Sequence, residues 1–166
     1  MATIDREDFS DWAALLTLLR RAYAGMAGQI DPPSSLDSMT ADMLRDKARR
    51  EDLLLICEAG VAIACLFAAP RGDALYIGKL AVDPDHQGKG LARRLLYAAE
   101  TLARRRALSA LTLQTRIELR ENHRAFRAMG FRLVGAARHP GHSRATSLMF
   151  RRDLSPLPLP PARAMS

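Results

Sequence analysis

The sequence has few cysteines and few aromatic side chains, and each shortage excludes a class of protein. Its two cysteines, Cys57 and Cys65, lie in separate apolar runs and form neither a Cys-x-x-Cys pair nor a Cys/His cluster at zinc-ligand spacing. We therefore predict buried, reduced thiols and no metal site. Aromatic residues make up 5% of the chain, too few for an obvious platform on which nucleic-acid bases would stack.

The chain also lacks a long apolar run. No stretch approaches the about 20 apolar residues that cross a bilayer, and residues 1–11 are acidic without the apolar core of a secretory signal. These absences predict no membrane partner and a cytoplasmic location. A length of 166 residues suits one domain, and 48% hydrophobic with 26% charged residues is a globular composition.

Positive charge is in excess. The formal net charge is +7, and most of the excess comes from arginines in the second half of the chain. Such a balance favours an anionic partner, either nucleic acid or a nucleotide cofactor with several phosphates. Nucleic acid is the weaker alternative, because the sequence has no helix-turn-helix, RRM or zinc-finger signature.

Hydrophobic periodicity predicts an α/β (α+β) domain over residues 1–154. Strands alternate with helices in an order that suggests one mixed sheet with helices on its faces. Residues 155–166 contain four prolines and no periodicity, which predicts an extended or disordered C-terminal tail. The expected strands are 3–6, 53–58, 61–68, 74–82, 110–117, 131–137 and 146–150, and the expected helices are 8–26, 34–50, 90–106 and 122–129.

The second of these helices has two possible starts. It is expected to turn Leu36, Met39, Met43 and Ala48 inward, while Ser38 or Thr40 is a candidate cap for a shorter version.

A loop with two glycines joins the strand at 74–82 to the helix that begins at Gly90. Glycine permits positive φ or a close approach of the backbone to a ligand. A helix start offers unpaired N–H groups and the positive end of the helix dipole, so the join is a candidate anion site. On the loop alone, glycines that serve only packing are an equal alternative. The loop is not a Walker GxxxxGK[ST] motif, and it lacks the third glycine of GxGxxG.

Three segments of the sequence resemble the GNAT family of N-acetyltransferases. Gln87-x-x-Gly90-x-Ala92 matches in full the family signature Gln/Arg-x-x-Gly-x-Gly/Ala. Residues 79–84 resemble the strand before that loop, and residues 122–131 resemble a later segment that ends in Gly-Phe. The resemblance covers about residues 3–154. It implies the GNAT fold: a mostly antiparallel central sheet of six to seven strands, splayed beside the strand that ends at Val82, with about four helices.

The resemblance implies acetyl-CoA as the acyl donor. Backbone groups of the strand would bind the pantetheine arm as an added strand does, and loop N–H groups would hold the pyrophosphate. Lys89 and Arg93 would screen the phosphates or remain solvated surface charges. Asn122 would cap the short helix and lie near the pantetheine. The residues implied at the cofactor site are Leu80, Ala81, Val82, Gln87, Gly88, Lys89, Gly90, Leu91, Ala92, Arg93, Asn122 and Phe126.

The implied reaction is transfer of an acetyl group to a primary amine of a small molecule or protein by direct attack. Such attack requires a group that removes a proton from the amine. The candidates are Glu118, which follows a strand near the splay, His139 in a turn, and Tyr76 on the strand that leads to the loop. His123, His142 and Lys79 are further alternatives.

One position departs from the family pattern. Many members have a tyrosine four residues before the Gly-Phe pair as the general acid, and here that position is Phe126, which fits core packing. The departure supports an alternative from another class, a non-catalytic acyl-CoA-binding sensor. Many relatives dimerise, so the resemblance also allows a homodimer; neither the acceptor nor the oligomeric state can be read from the residues.

Overall fold

The computed structural model describes residues 9–156, which form a six-stranded sheet with helices on both faces. The strand expected at 3–6 and nearly all of the proline-rich tail lie outside these residues. The helices are α1 (Trp12–Tyr23), α2 (Ala41–Arg50), α3 (Leu91–Arg105) and α4 (Arg120–Ala128). The strands are β1 (Asp52–Glu58), β2 (Val61–Arg71), β3 (Ala74–Val82), β4 (Ala110–Arg116), β5 (Arg132–Ala137) and β6 (Ser147–Asp153).

The sheet has the strand order β1-β2-β3-β4-β6-β5, and only the β3–β4 pair is parallel. Leucines of α1 and α2 form one core with β1, β2 and Ala81. The apolar stripe of α3 forms the other core with β2, β3, β4 and Phe150 of β6, and Phe126 and Met129 pack at its edge. These two cores cover opposite faces of the sheet. The predicted fold class, a mixed and mostly antiparallel sheet with four helices, is confirmed.

The segment between α1 and β1 is divided where a single helix over 34–50 was expected. A 3₁₀ turn covers Ser35–Ser38, and α2 begins after Thr40, whose Oγ1 accepts a hydrogen bond of 3.2 Å from the Met43 N–H. Leu36 and Ala48 are buried as predicted. The inward prediction for Met43 is wrong: 46% of it is exposed, while Leu44 is fully buried. Because the backbone is extended at Met39 and Thr40, the helical spacing from Leu36 and Met39 does not continue to Met43, and the inward row of α2 is Leu44 and Ala48.

Helix α4 also starts earlier than expected. It begins at Arg120, with Leu119 as the N-cap residue and no side-chain cap. The prediction that Asn122 caps this helix is therefore wrong, since Asn122 lies inside its first turn. The physical reason is that the chain turns into the helix almost directly after β4, which leaves no room for two more loop residues.

Strands β3 and β4 pair over only part of their length. The parallel ladder runs from Ala74 opposite Ala110 to Ile77 opposite Leu113. Beyond it, β3 still pairs with β2 as far as Val82, and β4 still pairs with β6 as far as Arg116. The two halves of the sheet therefore separate at this point, which confirms the predicted splay.

A β-bulge lies where the separation begins. The β2–β3 register shifts between Cys65 and Phe67, and Lys79 on the bulged strand has a φ of 48°. A bulge bends its strand and increases the local twist. We infer that the bend at Lys79 turns the second half of β3 away from β4.

Cys57 and Cys65 are buried free thiols, as predicted. Within residues 9–156, no helix is long and apolar enough to cross a membrane. In the same residues no three His, Cys, Asp or Glu side chains are grouped so that they could hold a metal ion.

An arginine of α1 is paired with the turn that follows β3. Arg21 Nη1 lies 2.8 Å from Asp83 Oδ2, and its Nη2 lies 3.1 Å from Asp85 Oδ2. Asp83 Oδ1 also accepts a hydrogen bond of 2.9 Å from the Asp85 N–H, which closes a tight Asx-type turn. These contacts fix the turn to α1.

We predict that Asp83→Ala lowers the free energy of unfolding by about 2 kcal/mol, because it removes a buried acceptor from both partners. Urea unfolding measures this loss. The matched control is Asp85→Ala, which shares the same arginine. Its side chain is 77% exposed against 11% for Asp83, so the expected loss is under about 0.5 kcal/mol. Equal losses in the two variants would contradict this assignment.

Candidate active site

The separation of β3 and β4 opens a cleft of about 1150 Å³. Its walls are the two strands, the loop after β3, the first turns of α3 and α4, and the segment between α1 and α2. Lys89 and two of the alternative bases, His123 and His142, do not line it, whereas the third alternative, Lys79, does. The predicted residues that do line the cleft are Tyr76, Leu80, Ala81, Val82, Gln87, Gly88, Gly90, Leu91, Ala92, Arg93, Glu118, Asn122, Phe126 and His139.

The glycine loop forms one end of the cleft. Gly88 has a φ of 77° and Gly90, the N-cap residue of α3, a φ of 76°. A Cβ atom added to either glycine would meet no atom within 4 Å. Packing alone therefore does not explain these glycines, whereas their left-handed backbone does. No described side chain caps α3, so its first N–H groups and its positive dipole end suit an anionic group.

The backbone of β3 beyond the bulge faces the cleft at alternate residues. The Asp83 N–H donates to the Ile63 carbonyl at 2.8 Å, and in an antiparallel ladder every second residue bonds the same neighbour. Ala81, opposite Cys65, thus turns its backbone toward β2, whereas Val82 turns its N–H and C=O toward the cleft. The Leu80 carbonyl accepts a hydrogen bond of 2.6 Å from the Tyr23 hydroxyl. Val82 is therefore the best-placed backbone group for an extended ligand.

Two cationic side chains, Lys79 on β3 and Arg116 at the end of β4, also line the cleft. Lys79 Nζ lies 3.5 Å from Ser35 Oγ, and burial lowers the pKa of Lys79. Arg116 Nη2 donates to the Pro33 carbonyl at 3.3 Å, while Arg116 Nη1 is buried without a partner among the described residues. Both cations thus contact the same short segment, residues 33–35.

His139 is held by the start of β6. Its Nδ1 lies 2.5 Å from Thr146 Oγ1, which also accepts a hydrogen bond of 3.0 Å from the His139 backbone N–H. Partial burial lowers the pKa of His139, and the positive charge of Arg116 adds to the effect, while Glu118 opposes it. The imidazole is therefore neutral at pH 7, the state that accepts a proton.

The other two candidate bases lie in the same cleft. Glu118 is exposed at its rim, just beyond β4. Burial raises the pKa of Tyr76, and the Arg71 guanidinium lies 3.7 Å from the centre of its ring. The Tyr76 hydroxyl thus stays protonated at neutral pH and suits a donor better than a base. The fold brings all three candidates together.

Phe126 packs as the sequence predicted. Its ring makes an edge contact with Phe131 at 5.9 Å between centres, and it lies 6.3 Å from the ring of Phe150. The ring also forms part of the cleft wall. Phe126, which has no proton to donate, therefore occupies the position at which many members of the resembled family have a tyrosine as the general acid.

Sequence reasoning missed Tyr23, Ser35 and Arg116 as cleft residues. Helical spacing places Tyr23 on the apolar stripe of α1, which by itself indicates a core position. Arg116 was counted only in the general excess of positive charge. Strand alternation held a signal for Arg116, because it shares a face with Gln114 rather than with the buried Leu113.

The family model described as the acetyltransferase (GNAT) family matches residues 12–131. The chain therefore belongs to the GNAT family, as its three motifs predicted. Acetyl-CoA is the acyl donor of this family, and the glycine loop with the start of α3 suits its pyrophosphate. A search of curated proteins found no match.

Solved structures share the fold across nearly the whole chain. The PaiA N-acetyltransferase of Thermoplasma acidophilum, solved with coenzyme A, is 15% identical, with a TM-score of 0.73 over 93% of this chain and 100% of its own. The ribosomal-protein-S18-alanine N-acetyltransferase of Escherichia coli is 19% identical, with a TM-score of 0.67 over 94% of each chain. Ard1 of Thermoplasma volcanium is 16% identical, with a TM-score of 0.72 over 93% of this chain and 98% of the Ard1 chain.

We predict that Gly90→Ala weakens coenzyme A binding by about tenfold or more, equivalent to ~1.4 kcal/mol. The added methyl group strains the left-handed backbone and enters the space above the helix start. Isothermal titration calorimetry measures the dissociation constant.

The matched control is Gly60→Ala in the β1–β2 turn, where φ is 78° and a Cβ also meets no atom within 4 Å. Both variants should lose about 1 kcal/mol of stability, but Gly60→Ala should bind coenzyme A normally. Similar affinities in the two variants would show that the Gly90 backbone does not contact the cofactor.

Proposed function

We propose that the protein transfers an acetyl group from acetyl-CoA to a primary amine of a small molecule or protein by direct attack. The observation that carries this proposal is the single cleft between β3 and β4. The glycine loop and the start of α3, which suit an anionic group, line this cleft together with the titratable side chains Tyr76, Glu118 and His139. Family membership supports the donor.

The donor site is built from backbone groups. We assign the pyrophosphate to the N–H groups at the start of α3, with Arg93 as the cleft-lining charge beside them. Leu91 and Ala92 supply N–H groups of that turn, and Gln87 and Gly88 supply the approach to it. The Val82 C=O is the acceptor that we assign to an amide N–H of the extended pantetheine arm. Asn122 and Phe126, both on α4, also line the cleft.

His139 is the base that we assign to the amine. When its Nδ1–H donates to Thr146 Oγ1, the Nε2 lone pair is free to accept a proton. The amine nitrogen attacks the thioester carbon, the C–N bond forms, the C–S bond breaks, and the ammonium proton passes to Nε2. The Val82 N–H is the donor that we assign to the carbonyl oxygen as negative charge develops there.

The departing thiolate needs no acid from the protein. A free thiol has a pKa of about 8.5, so coenzyme A leaves as a moderately stable thiolate and takes a proton from water. This step accommodates Phe126, which has no proton to donate.

The second candidate function is a non-catalytic acyl-CoA-binding sensor, which Phe126 favours. A panel of amines with acetyl-CoA separates the two functions through the release of free thiol. A sensor binds acetyl-CoA without amine-dependent release, whereas the enzyme releases one thiol for each amide formed.

We predict that His139→Gln lowers kcat by about 100-fold and removes the acidic limb of the pH profile of kcat/KM. Protonated His139 cannot accept a proton, so wild-type activity should fall as the pH drops through the pKa of His139. Burial lowers that pKa, so the limb should lie below the ordinary value of 6.5. An unchanged limb in the variant would exclude His139 as the base.

We predict that Glu118→Ala lowers turnover a few fold and leaves acetyl-CoA affinity unchanged. Glu118 raises the pKa of His139, so its loss makes the base weaker and moves the acidic limb to lower pH. Kinetics across pH, with calorimetry for the donor, measure both effects. Unchanged turnover and an unmoved limb would remove Glu118 from the mechanism, and a loss as large as that of His139→Gln would make Glu118 the base.

A further inference from the structure

The part of the cleft wall at residues 33–35, here called the acceptor wall, is bordered by two cations, Lys79 and Arg116. Among residues 9–156, no acidic side chain forms an ion pair with Lys79 or Arg116. Glu51, which lies 2.5 Å from Lys47, also acts on Lys79 electrostatically and opposes the lowering of its pKa.

The two cations converge on one place. Lys79 comes from β3 and Arg116 from the end of β4, on opposite sides of the separation. Lys79 Nζ approaches Ser35 Oγ, and Arg116 Nη2 bonds the Pro33 carbonyl. Residues 33 and 35 are two positions apart, which limits their Cα separation to about 7 Å. Both charges therefore border the same segment of the cleft wall.

The guanidinium of Arg116 has unused hydrogen-bonding capacity. Its five N–H groups make one described side-chain bond, to Pro33, and its Nη1 is buried without a partner. A buried unpaired donor is costly, so a small rotation that brings Nη1 onto an acceptor is favourable. A carboxylate matches the planar fork of an arginine with two parallel hydrogen bonds.

We propose that the acceptor is an amine that also carries a carboxylate, which Arg116 binds and Lys79 approaches, while the amine faces His139. The proposal rests on the proposed function and adds the class of acceptor. His139, Glu118, Arg116 and Lys79 all line the one cleft. The arrangement thus separates an anion-binding wall from the group that takes the proton.

The test compares carboxylates with their uncharged amides as acceptors. The pairs are γ-aminobutyrate and its carboxamide, the α-amides of glutamate and of glutamine, and C-terminally amidated peptides that begin with Glu or Gln. Aminoethyl phosphate is a further acceptor, which tests whether the site prefers a phosphate to a carboxylate. The readout is the ratio of kcat/KM for acid over amide, together with calorimetric binding of each acceptor to the protein saturated with coenzyme A.

We expect the wild-type protein to prefer the acid of at least one pair, and Arg116→Gln to lower that ratio by about tenfold or more. Arg116→Lys should restore part of the preference, because it keeps the charge but loses the fork. Lys79→Met should lower the ratio less. Arg45→Gln, an exposed cation on α2 outside the cleft, should leave the ratio unchanged and controls for the loss of net charge.

The outcomes separate the two proposals. Acylation of amides as fast as acids, or an Arg116→Gln ratio equal to that of the wild type, would overturn the acceptor assignment while leaving the acetyltransferase intact. A preference for aminoethyl phosphate over every carboxylate would also overturn it. Binding of carboxylated amines without any acetyl transfer would support the binding of a carboxylate by Arg116 and contradict the proposed catalysis. Preference for the Glu peptide or for the free acid identifies the source of the carboxylate.

Discussion

The partial pairing of β3 with β4 is the constraint on which the rest of the structure depends. The ladder stops at Ile77 and Leu113, and each strand keeps its outer neighbour beyond that point. A sheet edge normally leaves its N–H and C=O groups to water or to another strand. Here the exposed edge faces inward, so Val82 presents its backbone groups to a cleft within the domain.

The same separation determines where every reactive group lies. The bulge at Lys79 bends β3, and the turn at Asp83, held by Arg21, brings the glycine loop over the end of the strand. Because α3 follows that loop directly, its N-terminus points at the cleft. On the other side, β4 ends at Arg116 and α4 begins at Arg120, which leaves Glu118 on the rim. The candidate anion site and the candidate bases therefore line the same cleft.

Much of this arrangement could be predicted from the sequence, and the failures have physical causes. Hydrophobic periodicity predicted the mixed sheet with helices on its faces, and the Gln87 to Ala92 signature predicted the loop. Met43 was misplaced because a hydrogen bond to Thr40 decides where α2 begins, and periodicity does not contain that information. The roles of Tyr23 and Arg116 depend on which elements meet across the cleft, a tertiary property that local pattern does not carry.

Arg116 connects acceptor binding with proton transfer to His139 in the proposed reaction. In the free protein its positive charge contributes to the low pKa of His139, which keeps the imidazole neutral but also makes it a weak base. A carboxylate bound to Arg116 would offset that charge and strengthen the base at the moment when an acceptor amine is present. An amine without the acid would meet the weaker base. The acceptor wall would therefore favour carboxylated amines in the proton-transfer step as well as in binding, with a single arginine responsible for both effects.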